Sequence, residues 1–197
     1  MNLATRQRMT LEEYLDYDDR TDARYELVDG VLVEMGAEST LNTQIAVFLL
    51  LHFAGLGVPT YCLANKHKIE VTSRQATARE PDLIVHSEES AAAIAGQSQA
   101  LLQVDMPAPV LVVEVVSPGE VGTDNYDRDY IEKRAEYATR SIPEYWIIDQ
   151  SRAVMLVLTL SEQSYQEQKF TGGRQITSSA FPSLTLTAAQ ILTAGTV

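Results

Sequence analysis

The apolar positions of this chain gather in short runs, and one run is unbroken except at a single place. From Val110 to Val116 every residue is aliphatic apart from Glu114. Continuous rather than alternating hydrophobicity predicts a strand covered on both faces, as in a central strand of an α/β sheet. A carboxylate inside such a strand is costly unless a cation, a proton or a metal offsets it. Around this strand the pattern predicts the remaining elements. Thr10 with Glu13 three residues on is a capping box, opening a short helix through Tyr17, and the acidic stretch Asp16 to Asp22 closes it as a solvated turn. Asp29-Gly30 between two apolar runs, Tyr25 to Met35, predicts a hairpin. Leu41 to Gly55 is apolar nearly all round and predicts a buried helix, ended by Gly55 to Gly57.

Further on, Thr60 to Leu63 and Lys66 to Val71 read as two strands about Ala64-Asn65. Pro81 to His86 is a strand with proline at its start, where a missing donor does least harm. Ser87 to Met106 is rich in Ala, Ser and Gln and reads as a long connection with a short surface helix. Tyr126 to Thr139 is a helix stopped by Ile142-Pro143, and Glu144 to Asp149 is the next strand. Val154 to Leu160 and Tyr165 to Phe170 form a hairpin-like pair. Gly172-Gly173 turns the chain, and Leu184 to Leu192 holds a short last element. No internal repeat or linker interrupts this order. The reading is an α/β protein with a mixed central sheet flanked by helices: one domain over 1–197, with 1–8 as a flexible N-terminal stretch.

Composition narrows the class. Hydrophobic content of 45% and charged content of 21% are globular values. No apolar stretch reaches the length of a membrane span; the longest, Ile45 to Phe53, is broken by His52. The N-terminus lacks the apolar core of a signal peptide. A lone cysteine, Cys62, excludes an internal disulfide and makes no zinc site by itself, so a reducing cytoplasm is the expected compartment. The net charge of −12 disfavours a broad electrostatic grip on nucleic acid. It leaves room for a local basic groove or for metal ions that neutralise phosphates.

Candidate chemistry starts from the helix after the central strand. At about 100° per residue, Tyr126, Tyr130, Lys133 and Tyr137 share one face. That face should pack on the sheet, with the tyrosines packing on Lys133. An inward lysine and an inward Glu114 in adjacent elements account for each other. Asp82 opens a short apolar strand, and Glu26 lies in the first hairpin. Glu26, Asp82, Glu114 and Lys133 together offer hard oxygen ligands for Mg²⁺ or Mn²⁺, with an ammonium to orient water or meet developing charge. This is equipment for phosphodiester hydrolysis. Arg79 and Arg134 are candidate phosphate contacts or, alternatively, surface ion pairs. The histidines 52, 67 and 86 show no metal-ligand spacing, and His52 reads as a satisfied core residue. No phosphate-binding Gly-rich loop and no Gly-x-Ser-x-Gly elbow is present. Cys62 reads as a buried structural thiol.

The motifs Tyr-Glu-Leu-Val-Asp-Gly (25–30), Arg-Glu-Pro-Asp-Leu-Ile-Val (79–85), Leu-Val-Val-Glu-Val-Val-Ser-Pro (111–118), Asp-Tyr-Ile-Glu-Lys-Arg-Ala-Glu-Tyr-Ala (129–138) and Ile-Pro-Glu-Tyr-Trp-Ile-Ile-Asp (142–149) come in a specific order. In that order the chain resembles the PD-(D/E)XK nuclease superfamily, and more closely its Uma-type restriction endonuclease-like family. The resemblance implies a restriction-endonuclease-like core and a metal-dependent DNA endonuclease using Mg²⁺ or Mn²⁺. Asp82 matches the metal-binding aspartate, Glu114 the second acidic ligand, and Glu26 the acidic residue from the N-terminal part. The superfamily lysine falls two residues after the glutamate, where this chain has Val116, and the match is Lys133 on the next helix. Asn42 stands where relatives often carry histidine. The resemblance and the aliphatic strands Val154 to Leu160 and Tyr165 to Phe170 both allow a homodimer, and cutting two strands takes two sites. A rival reading is a binding or scaffold protein that kept the fold and lost the chemistry, favoured by the −12 charge and by Asn42. Action on RNA or modified DNA is not distinguished.

Overall fold

The computed structural model describes residues 8–21, 23–36, 39–75 and 77–195. Helix α1 (Leu11–Leu15) is held at its start by the expected reciprocal cap between Thr10 and Glu13. Strands β1 (Arg24–Val28) and β2 (Val31–Met35) pair antiparallel about Asp29 and Gly30. Both turn residues take positive φ, 49° and 77°, as a tight two-residue hairpin requires. The expected flexible stretch 1–8 lies outside the described residues except for Arg8, whose guanidinium donates to the Asp29 carbonyl at 2.7 Å.

Helix α2 (Thr40–Gly55) is capped by the Ser39 hydroxyl. It is less buried than its composition suggests. Ile45, Leu49 and Phe53 face the core, whereas Leu51 is 65% exposed. His52 corrects another expectation: it stacks on Phe48, and its buried Nε2 has no hydrogen-bond partner among the described residues. Next, Thr60–Cys62 winds into a 3₁₀ turn instead of a strand, because the Cys62 amide bonds back to the Pro59 carbonyl. Strands β3 (Leu63–Ala64) and β4 (Lys68–Glu70) then enter different sheets, so the turn between them is a crossing and not a hairpin.

The chain continues through β5 (Ala78–Arg79), β6 (Leu83–Val85), helix α3 (Glu88–Ile94), β7 (Leu101–Leu102) and β8 (Leu111–Val115). Residues 124–139 form a helix in three pieces: α4 (Asp124–Asp127), a π turn over Arg128–Glu132, and α5 (Lys133–Thr139). Strands β9 (Glu144–Asp149), β10 (Val154–Ser161) and β11 (Ser164–Phe170) follow, then α6 (Ala188–Leu192). Among the described residues one sheet has the order β11-β10-β9-β8-β6-β3 and the other β2-β1-β5-β4-β7. β8 is antiparallel to β6 and parallel to β9, which makes the larger sheet mixed. The parallel pair needs a crossover, and the 124–139 helix supplies it.

Side-chain alternation on β8 decides where the site forms. Leu111, Val113 and Val115 join Ile45, Leu49, Phe53, Ala188 and Ile191 in one core, under α2 and α6. Val112 points the other way, into a second core with Tyr137, Ala138 and Tyr145 under α5. Glu114 has the parity of Val112, so it faces the helix that carries Lys133. On β6, Ile84 lies in that same second core and Leu83 pairs with Val113. Extending this register by one residue sets Asp82 opposite Glu114. No described helix is long and apolar enough to cross a membrane.

Candidate active site

Four elements deliver charged groups to one place. Lys133 is only 1% exposed, and its ammonium lies 2.9 Å from Oε1 of Glu114, 3.3 Å from Oε1 of Glu26 and 3.3 Å from Oδ1 of Asp129. Tyr137, one helical turn further on, donates its hydroxyl to the same Oε1 of Glu114 at 3.0 Å. Asp82 accepts the Val115 amide at Oδ2, 2.7 Å away, which ties it to the strand of Glu114. The Val115 carbonyl in turn accepts from Nδ2 of Asn42 at 2.9 Å. Asp82, Glu114, Asp129, Lys133 and Asn42 all line a small cavity of about 100 Å³. The expected residues Asp82, Glu114 and Lys133 therefore share one cavity. Glu26 sits behind it, joined through Lys133.

Glu26 is fully engaged. Its Oε1 takes Lys133 and the Glu80 amide at 3.1 Å, and its Oε2 takes Nη1 of Arg79 at 3.1 Å. Arg79 is the clearest departure from expectation. It is neither a phosphate contact nor a surface ion pair. Buried completely, it spreads its guanidinium over Glu26, Glu132 and both oxygens of Glu136. β5 carries it inward because its neighbour Ala78 packs the opposite way against Leu27. Arg134 is the surface pair of the two, with Nη1 donating to Glu167 at 2.7 Å.

The π turn explains why the expected tyrosine stripe splits. Tyr126 and Tyr130 stack with ring centroids 4.3 Å apart, and Tyr130 donates to Asp149 at 2.8 Å, away from Lys133. Only Tyr137 remains at the carboxylate. The sequence reading also missed Asp129 and Arg128. Asp129 is buried and shares Lys133, while Arg128 donates to both of its oxygens at 3.1 and 3.2 Å. The Asp129–Lys133 spacing of one helical turn was the available signal.

The cavity wall carries three cations, Arg24, Arg128 and Lys133, against three carboxylates, Asp82, Glu114 and Asp129. Burial pushes Glu114 up to about 8, with Lys133 pulling against it and Asp82, Asp129 and Glu26 adding to the rise. For Glu26, burial would raise the carboxyl, but Lys133 and Arg79 outweigh it and hold it below its ordinary value. Burial likewise disfavours the Lys133 ammonium, yet Glu114, Glu26 and Asp129 hold its pKa above normal. Burial and Glu114 raise Tyr137 well out of reach, so it stays a donor. Among the described residues no three His, Cys, Asp or Glu side chains form a ready-made metal cage. Asp82 and Glu114 offer hard oxygen donors on the wall of one cavity, the donor type that suits Mg²⁺. Mg²⁺ keeps several waters and binds through one or two carboxylates plus substrate phosphates; the rise at Glu114, caused mainly by burial, is a penalty on its ionised form that a bound cation would offset.

Comparison with known proteins agrees with this architecture. The sequence model of a family named Uma2, described as "Putative restriction endonuclease", matches residues 11–189. No curated protein matches the chain. Among solved structures, the chain resembles a putative nuclease belonging to DUF820 from Anabaena variabilis ATCC 29413 with a TM-score of 0.72. The match covers 95% of this chain and 99% of that one at 14% sequence identity, which makes it a likeness of fold. The fold is the mixed, restriction-endonuclease-like one expected.

Proposed function

The chain belongs to the Uma2 family, and from that premise we propose that it is a metal-dependent endodeoxyribonuclease acting through Asp82, Glu114 and Lys133. The observation that carries the proposal is the shared cavity in which the two carboxylates and the lysine meet. Asp82 and Glu114 would hold Mg²⁺ or Mn²⁺. When bound, the ion would polarise a phosphoryl oxygen and lower the pKa of a coordinated water.

The protein's own groups do the positioning. The Val115 amide fixes Asp82, while Tyr137 and Lys133 fix Glu114 from Oε1. Lys133 keeps its proton, so it serves as a permanent cation that orients the attacking water or meets developing negative charge. Glu26 has both oxygens occupied and is a positioning residue that holds Lys133 and Arg79 in place. Asp129 holds Lys133 from its own helix. Two such sites, one on each copy of a homodimer, would cut both strands.

The rival reading, a nuclease fold without chemistry, draws on the net charge of −12. Cleavage of DNA that requires Mg²⁺ or Mn²⁺, and that disappears in folded Asp82→Ala, Glu114→Ala and Lys133→Ala proteins, supports the nuclease. Absence of divalent-ion binding at millimolar concentration supports the rival.

A further inference from the structure

We infer that Arg128 grips a non-bridging oxygen of the DNA phosphodiester that enters the site cavity, an assignment that rests on the nuclease reading and names the group that meets its substrate. The π turn over Arg128–Glu132 prepares the position. In a regular helix the residue two turns after Asn125 is Glu132. The wider turn advances that face by one residue. Asn125, Arg128, Asp129 and Lys133 thereby share the cavity wall, while Glu132 turns to Arg79.

One buried carboxylate, Asp129, holds two of the wall's cations. Lys133 lies 3.3 Å from its Oδ1 and, enclosed by two further carboxylates, serves the inner end of the site. Arg128 donates Nε to Oδ1 at 3.1 Å and Nη2 to Oδ2 at 3.2 Å. Its side chain keeps 21% exposure, so it reaches the mouth. A buried carboxylate on the Nε–Nη2 edge fixes the plane of a guanidinium and aims the rest of its fork. Nη1 then makes one contact among the described residues, 3.4 Å to Oδ1 of Asn125. A guanidinium carries five N–H donors, and these three contacts leave two of them, with Nη1 only weakly engaged. A phosphate oxygen is a stronger acceptor than an amide and would displace Asn125. The site needs such a group, because Asp82, Glu114 and Asp129 on the same wall, and a chain charge of −12, all repel a phosphodiester. Arg134 offers the contrast: it is more exposed but spends itself on Glu167 and the Tyr165 carbonyl, away from the cavity.

The test is the salt dependence of DNA binding, measured by fluorescence anisotropy on a short labelled duplex with Ca²⁺ replacing Mg²⁺ and the intact protein. Arg128→Gln should weaken binding about tenfold and lower the slope of log K against log salt by about 0.9, the share of one phosphate. Arg128→Lys keeps the charge and loses the fork, so it should bind about threefold more weakly at the wild-type slope. Arg134→Gln should leave both slope and affinity unchanged. A merely structural arginine would move the thermal unfolding midpoint and not the slope, since it neutralises no phosphate. An unchanged slope in folded Arg128→Gln overturns the assignment, even where wild type cleaves DNA as proposed. Where Arg128→Gln does not fold, wild-type affinity in Arg128→Lys overturns it and the threefold loss supports it. A reduced slope in a protein that never cleaves leaves the phosphate contact standing and removes the nuclease reading. A wild-type protein that binds no DNA at low salt overturns both.

Discussion

The Lys133 ammonium and Oε1 of Glu114 lie 2.9 Å apart in a place closed to solvent, one on a helix and the other on the strand that helix covers. Neither group is tolerable there alone. Removing one member of a buried pair leaves the other charge uncompensated, at a cost of about 3–5 kcal/mol. Lys133→Ala would strand three carboxylates around an empty position. It should therefore destabilise the protein by about 3–5 kcal/mol in urea unfolding, and Lys133→Arg should recover part of that loss without restoring cleavage.

Divalent-ion binding should depend on the acidic pair. Asp82→Asn and Glu114→Gln are each expected to weaken Mn²⁺ binding about tenfold or more in titration calorimetry. In wild type, Mn²⁺ at a hundred times its dissociation constant should raise stability by about 2.7 kcal/mol. Glu114→Gln should lose most of that gain. An equal gain in both proteins would move the ion elsewhere.

Arg79 should prove structural. A lysine cannot reproduce a fork shared by Glu26, Glu132 and Glu136. Arg79→Lys is expected to cost about 2–4 kcal/mol of stability, read by urea unfolding, while the salt slope of DNA binding stays that of wild type.

Acid stability should carry a histidine signature away from the site. His86 is buried, with Nε2 3.1 Å from Nδ1 of His67 and Nδ1 3.1 Å from the Ser90 hydroxyl. Burial, with the charge of a protonated His67, pushes His86 down to about 4. Its folded pKa is below the unfolded value near 6.5, so as pH falls the unfolded chain takes up the proton first. The stability it contributes is complete above about pH 6.5 and is lost as pH drops from there to about 4. Urea midpoints should fall across that window, and His86→Gln should flatten the fall.

Much of this was legible in the chain, for physical reasons that differ by residue. Glu114 announced itself because a carboxylate in an unbroken aliphatic strand needs a partner, and side-chain parity on β8 then fixed the face it takes. Lys133 followed from helical periodicity. The split of the tyrosines did not, because the π turn over Arg128–Glu132 changes the angular step midway and no residue type marks that. Arg79 was misread because a short β5 surrounded by loops looks exposed in sequence, while its burial comes from three glutamates on other elements. The divergence of β3 and β4 into separate sheets is a tertiary choice that two short apolar runs leave open.

The most direct measurement is conversion of supercoiled plasmid DNA by wild-type and Glu114→Gln protein, purified side by side, with Mg²⁺, with Mn²⁺ and with chelator. The account predicts nicked and linear product from wild type with either ion, none with chelator, and a rate at least about a hundredfold lower for Glu114→Gln at unchanged fold. Cleavage by Glu114→Gln at the wild-type rate, or no cleavage by wild type with either ion, would contradict it.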